Sequence, residues 1–107
     1  MYTMRIITKY TKLDSTAAIE EYVKEKIGAL DKLVRRYEAE GEIEARVELA
    51  RTTRHHKKGA VFYAEITLPL PGKTLRAEDE DFDVRVAVDR VRDKMKREIG
   101  KYKDTER

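Results

Sequence analysis

Eight lysine and arginine side chains between residues 83 and 103 are the groups whose type and spacing most clearly predict chemistry. Between them, apolar residues recur at helical spacing and fall within a narrow arc of a helical wheel: Val84, Val88, Val91, Met95, Ile99 and Tyr102. The cations form two flanks beside this arc, Arg85, Arg92, Lys96 and Lys103 on one side and Arg90, Lys94, Arg97 and Lys101 on the other. Asp89 and Asp93 are expected at the outer apex. Such a helix is either an ordinary solvated one or an RNA-binding surface.

Composition bounds the class of protein. The chain has 107 residues, which predicts one domain with a single core. Charged residues make up 42%, but the net charge is only +3, because acidic and basic segments alternate along the chain. Residues 38–48 and 78–83 are acidic, whereas residues 51–58 and the last helix are basic. This distribution predicts one basic and one acidic face.

The absence of cysteine excludes a disulfide framework and a thiolate metal site, and it agrees with a cytoplasmic location. No run of residues has the length and apolarity of a membrane span. We therefore expect no membrane partner.

Hydrophobic periodicity predicts the order β-α-β-β-β-α. The first helix is expected to begin with Ser15 or Thr16 as its N-cap and to continue as one apolar stripe to Tyr37, with Gly41 as its stop. The second helix is predicted from Asp83 to Lys103. The predicted strands are Met4–Tyr10, Glu42–Ala50, Val61–Leu68 and Lys73–Ala77, with a turn at Pro69–Gly72 between the last two.

This order predicts an α+β fold, in which a four-stranded, mainly antiparallel sheet packs both helices on one face, similar to a double-stranded RNA-binding domain. Two adjacent helices leave a groove between them. Lys26 falls within the apolar stripe of the first helix, so its ammonium group either reaches the edge of the helix pair or points to a ligand in the groove.

The sequence contains no convincing set of catalytic side chains, so we expect no catalytic residues, no cofactor and no small-molecule substrate. Ser15 is the only serine, and it is better used as a helix cap. His55 and His56 are adjacent, a spacing that is expected to direct the two imidazoles apart and that supplies no third ligand, so no metal site is predicted. The acidic residues 78–83 are interpreted as a solvated lead-in that caps the second helix.

Two sets of motifs carry a family resemblance over residues 4–103. The C-terminal set is Arg76-Ala77-Glu78, Asp83, Ala87-Val88-Asp89, Lys94-Met95, Arg97 and Lys101-Tyr102-Lys103. The N-terminal set is Thr16, Ala18-Ile19, Glu21-Tyr22-Val23, Lys26, Leu30 and Lys32-Leu33. Together they resemble the ribosome hibernation-promoting factor and ribosome-associated inhibitor family. The chain departs from that pattern at Arg85, where the family often has an aromatic residue, and in the more basic loop of residues 51–59.

The resemblance implies a cytoplasmic stress-response protein that binds the small ribosomal subunit between head and body, in the mRNA and tRNA channel. It would inhibit translation and protect idle ribosomes, with rRNA and neighbouring ribosomal proteins as its partners. The family pattern carries over best to Lys26, Lys32, Lys94, Arg97 and Lys101. The full set of expected rRNA contacts is Lys26, Lys32, Arg85, Arg90, Arg92, Lys94, Arg97 and Lys101, with Arg51, Arg54, Lys57 and Lys58 as a possible second contact.

Two other functions remain open from the residues themselves. One is a free-standing double-stranded RNA binder that uses the basic loop of residues 51–58, and the other is a protein-interaction domain that uses the open sheet face. Residues 1–103 are expected to form the single domain, with 104–107 as a short tail. Longer members of the resembled family continue into a domain that pairs two ribosomes. The chain is therefore either a short factor that acts on single ribosomes or the N-terminal domain of a longer one.

Overall fold

A four-stranded sheet with helices packed on one face forms the protein, and the computed structural model describes residues 4–52 and 61–105. The strands are β1 Arg5–Thr11, β2 Glu44–Arg51, β3 Phe62–Leu70 and β4 Lys73–Asp81. The helices are α1 Ala17–Gly28, α2 Asp31–Val34 and α3 Val84–Thr105, with a 3₁₀ turn over Arg35–Glu40. The predicted fold class and element order are confirmed.

The sheet is mixed, with the strand order β1-β2-β3-β4. β1 pairs parallel to β2, because the helical segment between them carries the chain back to the starting edge, whereas the other two pairs are antiparallel. The register brings Val47, Leu49 and Ala64 onto the face that the helices cover, where each is at most 2% exposed. The opposite face carries polar residues, as the period-two alternation predicts.

α3 packs on the sheet and buries most of its apolar stripe, with Val84 at its start only partly buried. Val88, Val91, Met95 and Ile99 are each at most 1% exposed, and burying an aliphatic side chain of this size contributes about 1.5–3 kcal/mol. At its start, the Arg85 backbone N–H donates to Asp83 Oδ1 at 2.8 Å. Near its end, the Tyr102 hydroxyl donates to the Pro71 carbonyl at 2.5 Å, so both ends of the helix are fixed.

The first helix differs from its prediction because it is not continuous to Tyr37. Thr16 is the N-cap, its Oγ1 accepting from the Ile19 N–H at 3.1 Å, but α1 ends at Gly28. After it, the Leu30 N–H donates to the Ile27 carbonyl at 3.0 Å, a tighter three-residue spacing that redirects the chain. Val34 and Tyr37 are still buried, at 0% and 5% exposed. The predicted stripe therefore identifies core residues correctly, but the prediction of one continuous helix is wrong. Packing on the sheet, and not periodicity, decides where the helix axis changes direction.

The β3–β4 hairpin is longer than predicted on both sides. β3 continues through Leu70, and the turn contains only Pro71 and Gly72, which has a φ of 81° that favours glycine. β4 continues past Ala77 to Asp81, so the interpretation of residues 78–81 as a solvated lead-in is wrong, whereas Asp83 caps α3 as expected. The extension holds because β3 supplies backbone partners as far as Phe62, which pairs with Asp81.

Glu38 is the buried charged residue of the described core. Its side chain lies in the 3₁₀ turn and is 3% exposed, and within residues 4–52 and 61–105 neither carboxylate oxygen has a hydrogen-bond partner. Burial, followed by the nearby Asp31 carboxylate, raises the pKa of Glu38, and Arg35 opposes the shift. A carboxyl whose folded pKa is raised destabilises the fold as pH rises from its unfolded pKa through its folded one.

We expect Glu38→Gln to raise the free energy of unfolding by about 1 kcal/mol at pH 7, because it removes a carboxyl whose ionisation is disfavoured by burial and by the Asp31 carboxylate. Near pH 4, where both the folded and the unfolded carboxyl are largely protonated, the gain should shrink toward zero. Urea unfolding of the variant and the parent at both pH values measures this. Glu40→Gln, in the same turn but exposed, is the matched control. An equal stability change at both pH values would contradict the assignment.

Candidate nucleic-acid interface

The two cationic flanks predicted for α3 face different neighbours. Once the apolar stripe is buried, the side that carries Arg85, Arg92 and Lys96 turns toward α1 and α2. The side that carries Arg90 and Lys94 turns toward β4. The same types of side chain therefore lie in two different electrostatic environments.

A groove between the two helical layers holds the first flank. We call it the helix groove: a cavity of about 290 Å³ lined by Ala29, Leu30, Lys32, Leu33, Arg92, Asp93 and Lys96. In the described part of the chain, Lys32 and Lys96 form no ion pair, and both are exposed. Arg92 is the one cation of this lining that is already engaged, since its guanidinium contacts Asp93 at 2.9 Å. Two lysine side chains without ion-pair partners in the described residues therefore line the same groove.

Tyr22 of α1 extends the helix groove toward the start of α3. Its hydroxyl donates to Asp89 Oδ1 at 2.8 Å, which joins the two helices. The Lys26 ammonium lies 5.4 Å from the centre of the Tyr22 ring, and the Arg85 guanidinium carbon lies 5.6 Å from it, both within the range of cation–π contacts. The hydrogen bond to Asp89, followed by burial, raises the pKa of Tyr22. Lys26, half-buried, thus lies against an aromatic ring at the edge of the helix pair.

The flank toward β4 is largely neutralised within the protein. Arg90 pairs with Asp81 at 3.5 Å, and Lys94 pairs with Asp79 at 3.3 Å and donates to the Glu78 carbonyl at 2.9 Å. Further along α3, Lys101 pairs with Glu98 at 3.3 Å, whereas Arg97 has no partner within residues 4–52 and 61–105. The expected trio of Lys94, Arg97 and Lys101 therefore does not form one uniform cationic patch.

The possible second contact is described only at its beginning. Arg51, the last residue of β2, is exposed, with its guanidinium carbon 5.1 Å from the centre of the Phe62 ring. Arg54, Lys57 and Lys58, together with His55 and His56, lie outside the described residues. Their role stays a prediction.

The open sheet face satisfies most of its own charges. Arg76 pairs with Glu65 and, at 3.6 Å, with Glu78, and the Tyr63 hydroxyl donates to both carboxylates. Burial and these two bonds raise the pKa of Tyr63. A shallow cavity of about 300 Å³ surrounds Ile7, which is 41% exposed. Compared with the helix groove, this face offers less free charge to a polyanion.

Two groove residues were not in the predicted set of contacts. Lys96 belongs to the predicted flank of Arg85 and Arg92, but it lies outside the motifs that carry the family resemblance. Asp89 was expected at the outer apex, but it turns toward α1 to accept from Tyr22. On the helical wheel, Asp89 borders the flank of Arg85 and Arg92, and this position indicates the side to which it turns.

Within the described ranges, no three His, Cys, Asp or Glu side chains are arranged to hold a metal ion. None of the described helices has the length and apolarity needed to cross a bilayer.

Comparisons with known proteins show the family and the fold of the chain. The chain is 41% identical over 92 residues to a ribosome hibernation promotion factor of Lactococcus lactis subsp. cremoris, covering 85% of this chain and 45% of that protein. It is 34% identical over 91 residues to a protein of the same name from Staphylococcus aureus, covering 85% and 44%. The chain thus spans less than half the length of these relatives.

Solved structures share the fold. The N-terminal domain of Thermus thermophilus Protein Y superposes with a TM-score of 0.69 at 33% identity, covering 92% of this chain and 99% of that one. A ribosomal subunit interface protein from Coxiella burnetii gives a TM-score of 0.71 at 19% identity, covering 94% and 97%, and shows the fold alone. The family model described as Sigma 54 modulation protein / S30EA ribosomal protein matches residues 6–107, and the chain belongs to this family.

Proposed function

We propose that this protein is a ribosome hibernation factor that binds the small ribosomal subunit with the helix groove and holds the ribosome inactive. The observation that carries the proposal is that Lys32 and Lys96 line one groove beside Arg92, and that both lack an ion-pair partner within the described residues. Lys26 and Arg85 add two cations along the same groove. The names of the two relatives support the same function.

The ligand that fits this groove is folded RNA. Lysine and arginine side chains bind phosphate oxygens, and the deep, narrow major groove of A-form RNA keeps side chains from its bases. Selection would therefore depend on the shape and charge of the site and not on base sequence. For the position on the subunit we propose the mRNA and tRNA channel between head and body, with rRNA and adjacent ribosomal proteins as contacts. Occupancy there would inhibit translation, in the cytoplasm, by excluding both RNAs without any catalytic step.

The rival functions differ in which surface they use. A double-stranded RNA binder would depend on residues 51–58, and an interaction domain would depend on the sheet face around Ile7. Sedimentation of the protein with purified small subunits, with a short RNA duplex and alone separates the three. Cosedimentation with subunits supports hibernation, and equal affinity for the duplex supports the general RNA binder.

A pair of matched double variants tests the groove. We expect Lys32→Gln with Lys96→Gln to lower affinity for small subunits roughly 10- to 30-fold, because two free cations are lost. Lys94→Gln with Lys101→Gln removes the same charge from two lysines that already have carboxylate partners, so the loss should be less than about threefold. Equal losses would show that net charge alone matters, and a larger loss from the second pair would move the contact to the β4 side of α3.

Salt dependence tests the phosphate mechanism. If the five groove cations Lys26, Lys32, Arg85, Arg92 and Lys96 each neutralise one phosphate, affinity should fall on the order of 10²- to 10³-fold between about 50 and 200 mM salt. Binding titrations across this range, with subunits and with an unrelated RNA hairpin, measure it. A flat response for subunits would exclude counterion release as the source of affinity.

The basic loop offers a separate test of the general RNA binder. We expect replacement of Arg51, Arg54, Lys57 and Lys58 by Gln to weaken subunit binding less than the Lys32 and Lys96 double variant does, although it removes four charges instead of two. The same pair of proteins is compared on the RNA duplex. A larger loss from the loop variant on both ligands would favour the double-stranded RNA-binding function.

A further inference from the structure

Tyr22 stands where the two walls of the helix groove meet. It projects from α1, is half-buried, and donates its hydroxyl to Asp89 of α3 at 2.8 Å. The cationic groups of Lys26 and Arg85 lie 5.4 and 5.6 Å from the centre of its ring. One phenol therefore contacts one carboxylate and two cations of a surface whose remaining lysines are unpaired.

Asp89 has other partners within reach along its own helix. Arg85 precedes it by four residues and Arg92 follows it by three, and side chains at both spacings are neighbours on a helix surface. Neither guanidinium pairs with Asp89 in the described structure: Arg85 lies over Tyr22, and Arg92 contacts Asp93. The hydrogen bond from Tyr22 thus occupies one oxygen of the Asp89 carboxylate and competes there with the guanidiniums of the same helix.

On the opposite flank of α3, nearby carboxylates form ion pairs with the cations of the helix. Asp79 pairs with Lys94, and Asp81 pairs with Arg90. Those cations have an intramolecular partner that competes with any phosphate. In the groove, by contrast, Arg85 keeps its charge next to an aromatic face, a contact that leaves its N–H donors free for phosphate oxygens.

We propose that Tyr22 is a positioning residue of the RNA contact, which occupies Asp89 Oδ1 and thereby keeps Arg85, four residues before Asp89, available to phosphates. The inference depends on the proposed function, since it concerns the same groove. On this proposal, the hydrogen bond matters for binding because it engages the Asp89 carboxylate. If the hydrogen bond only joined α1 to α3, removing either of its partners would weaken binding equally.

Two variants that both remove this hydrogen bond distinguish the possibilities. Tyr22→Phe leaves Asp89 as a free carboxylate, and we expect affinity for small subunits to fall roughly three- to tenfold, with the salt slope reduced by about one phosphate. Asp89→Ala removes the bond and the charge together, and affinity should rise roughly two- to threefold. The double variant should match Asp89→Ala.

Tyr63→Phe is the matched control, because it also removes a bond from a tyrosine to carboxylates but on the open sheet face. It should bind as the parent does. Thermal unfolding of all variants is measured alongside binding. If Tyr22→Phe and Asp89→Ala weaken binding equally, or if Tyr22→Phe binds as the parent does, the proposal is overturned. If the parent itself fails to bind subunits, the proposed function fails first, whereas parent binding with an unaffected Tyr22→Phe variant removes only this inference.

Discussion

Burial of the α3 stripe on the sheet is the constraint on which the rest of the surface depends. Val91 and Met95 are fully buried, so the rotation of the helix about its axis is fixed. A rotation by one residue, 100°, would move an arginine or lysine into an apolar core at a cost of several kcal/mol. The hydrophobic core thus determines which cations face α1 and which face β4.

The two flanks of α3 differ in how many of their cations lack an intramolecular carboxylate partner, and not in their number of cations. The β4 side has carboxylates at strand positions opposite α3, and these carboxylates take up Arg90 and Lys94. On the groove side, Asp93 is engaged by Arg92 and Asp89 by Tyr22. A surface ion pair contributes little to stability, because exposed charges are well solvated. Its greater effect here is to decide which cations remain available to a polyanion.

The fold was largely predictable, because alternation and helical periodicity are strong in β2 and α3. The errors arose where tertiary contacts override local preference. α1 ends at Gly28 although the apolar pattern continues, and Glu78 to Asp81 form strand although acidic residues have low strand propensity. The second error affects the site directly. A wheel predicts two flanks, but only the β4 register shows that carboxylates face one of them. The Tyr22 and Asp89 pair joins positions 67 residues apart, which no local pattern reveals.

The parallel pairing of β1 with β2 has a consequence for the order in which the chain folds. Residues 12–43 must close between these strands, whereas β3 and β4 are joined by a two-residue turn and α3 follows after two more residues. Loop closure costs more entropy for the longer connection, and contacts close in sequence tend to form first. We therefore expect the hairpin and α3 to assemble before β1 docks and brings α1 into place. The walls of the groove come from α1 and α2 on one side and α3 on the other, at least 50 residues apart in sequence, so the groove cannot form until the chain has been synthesised through α3.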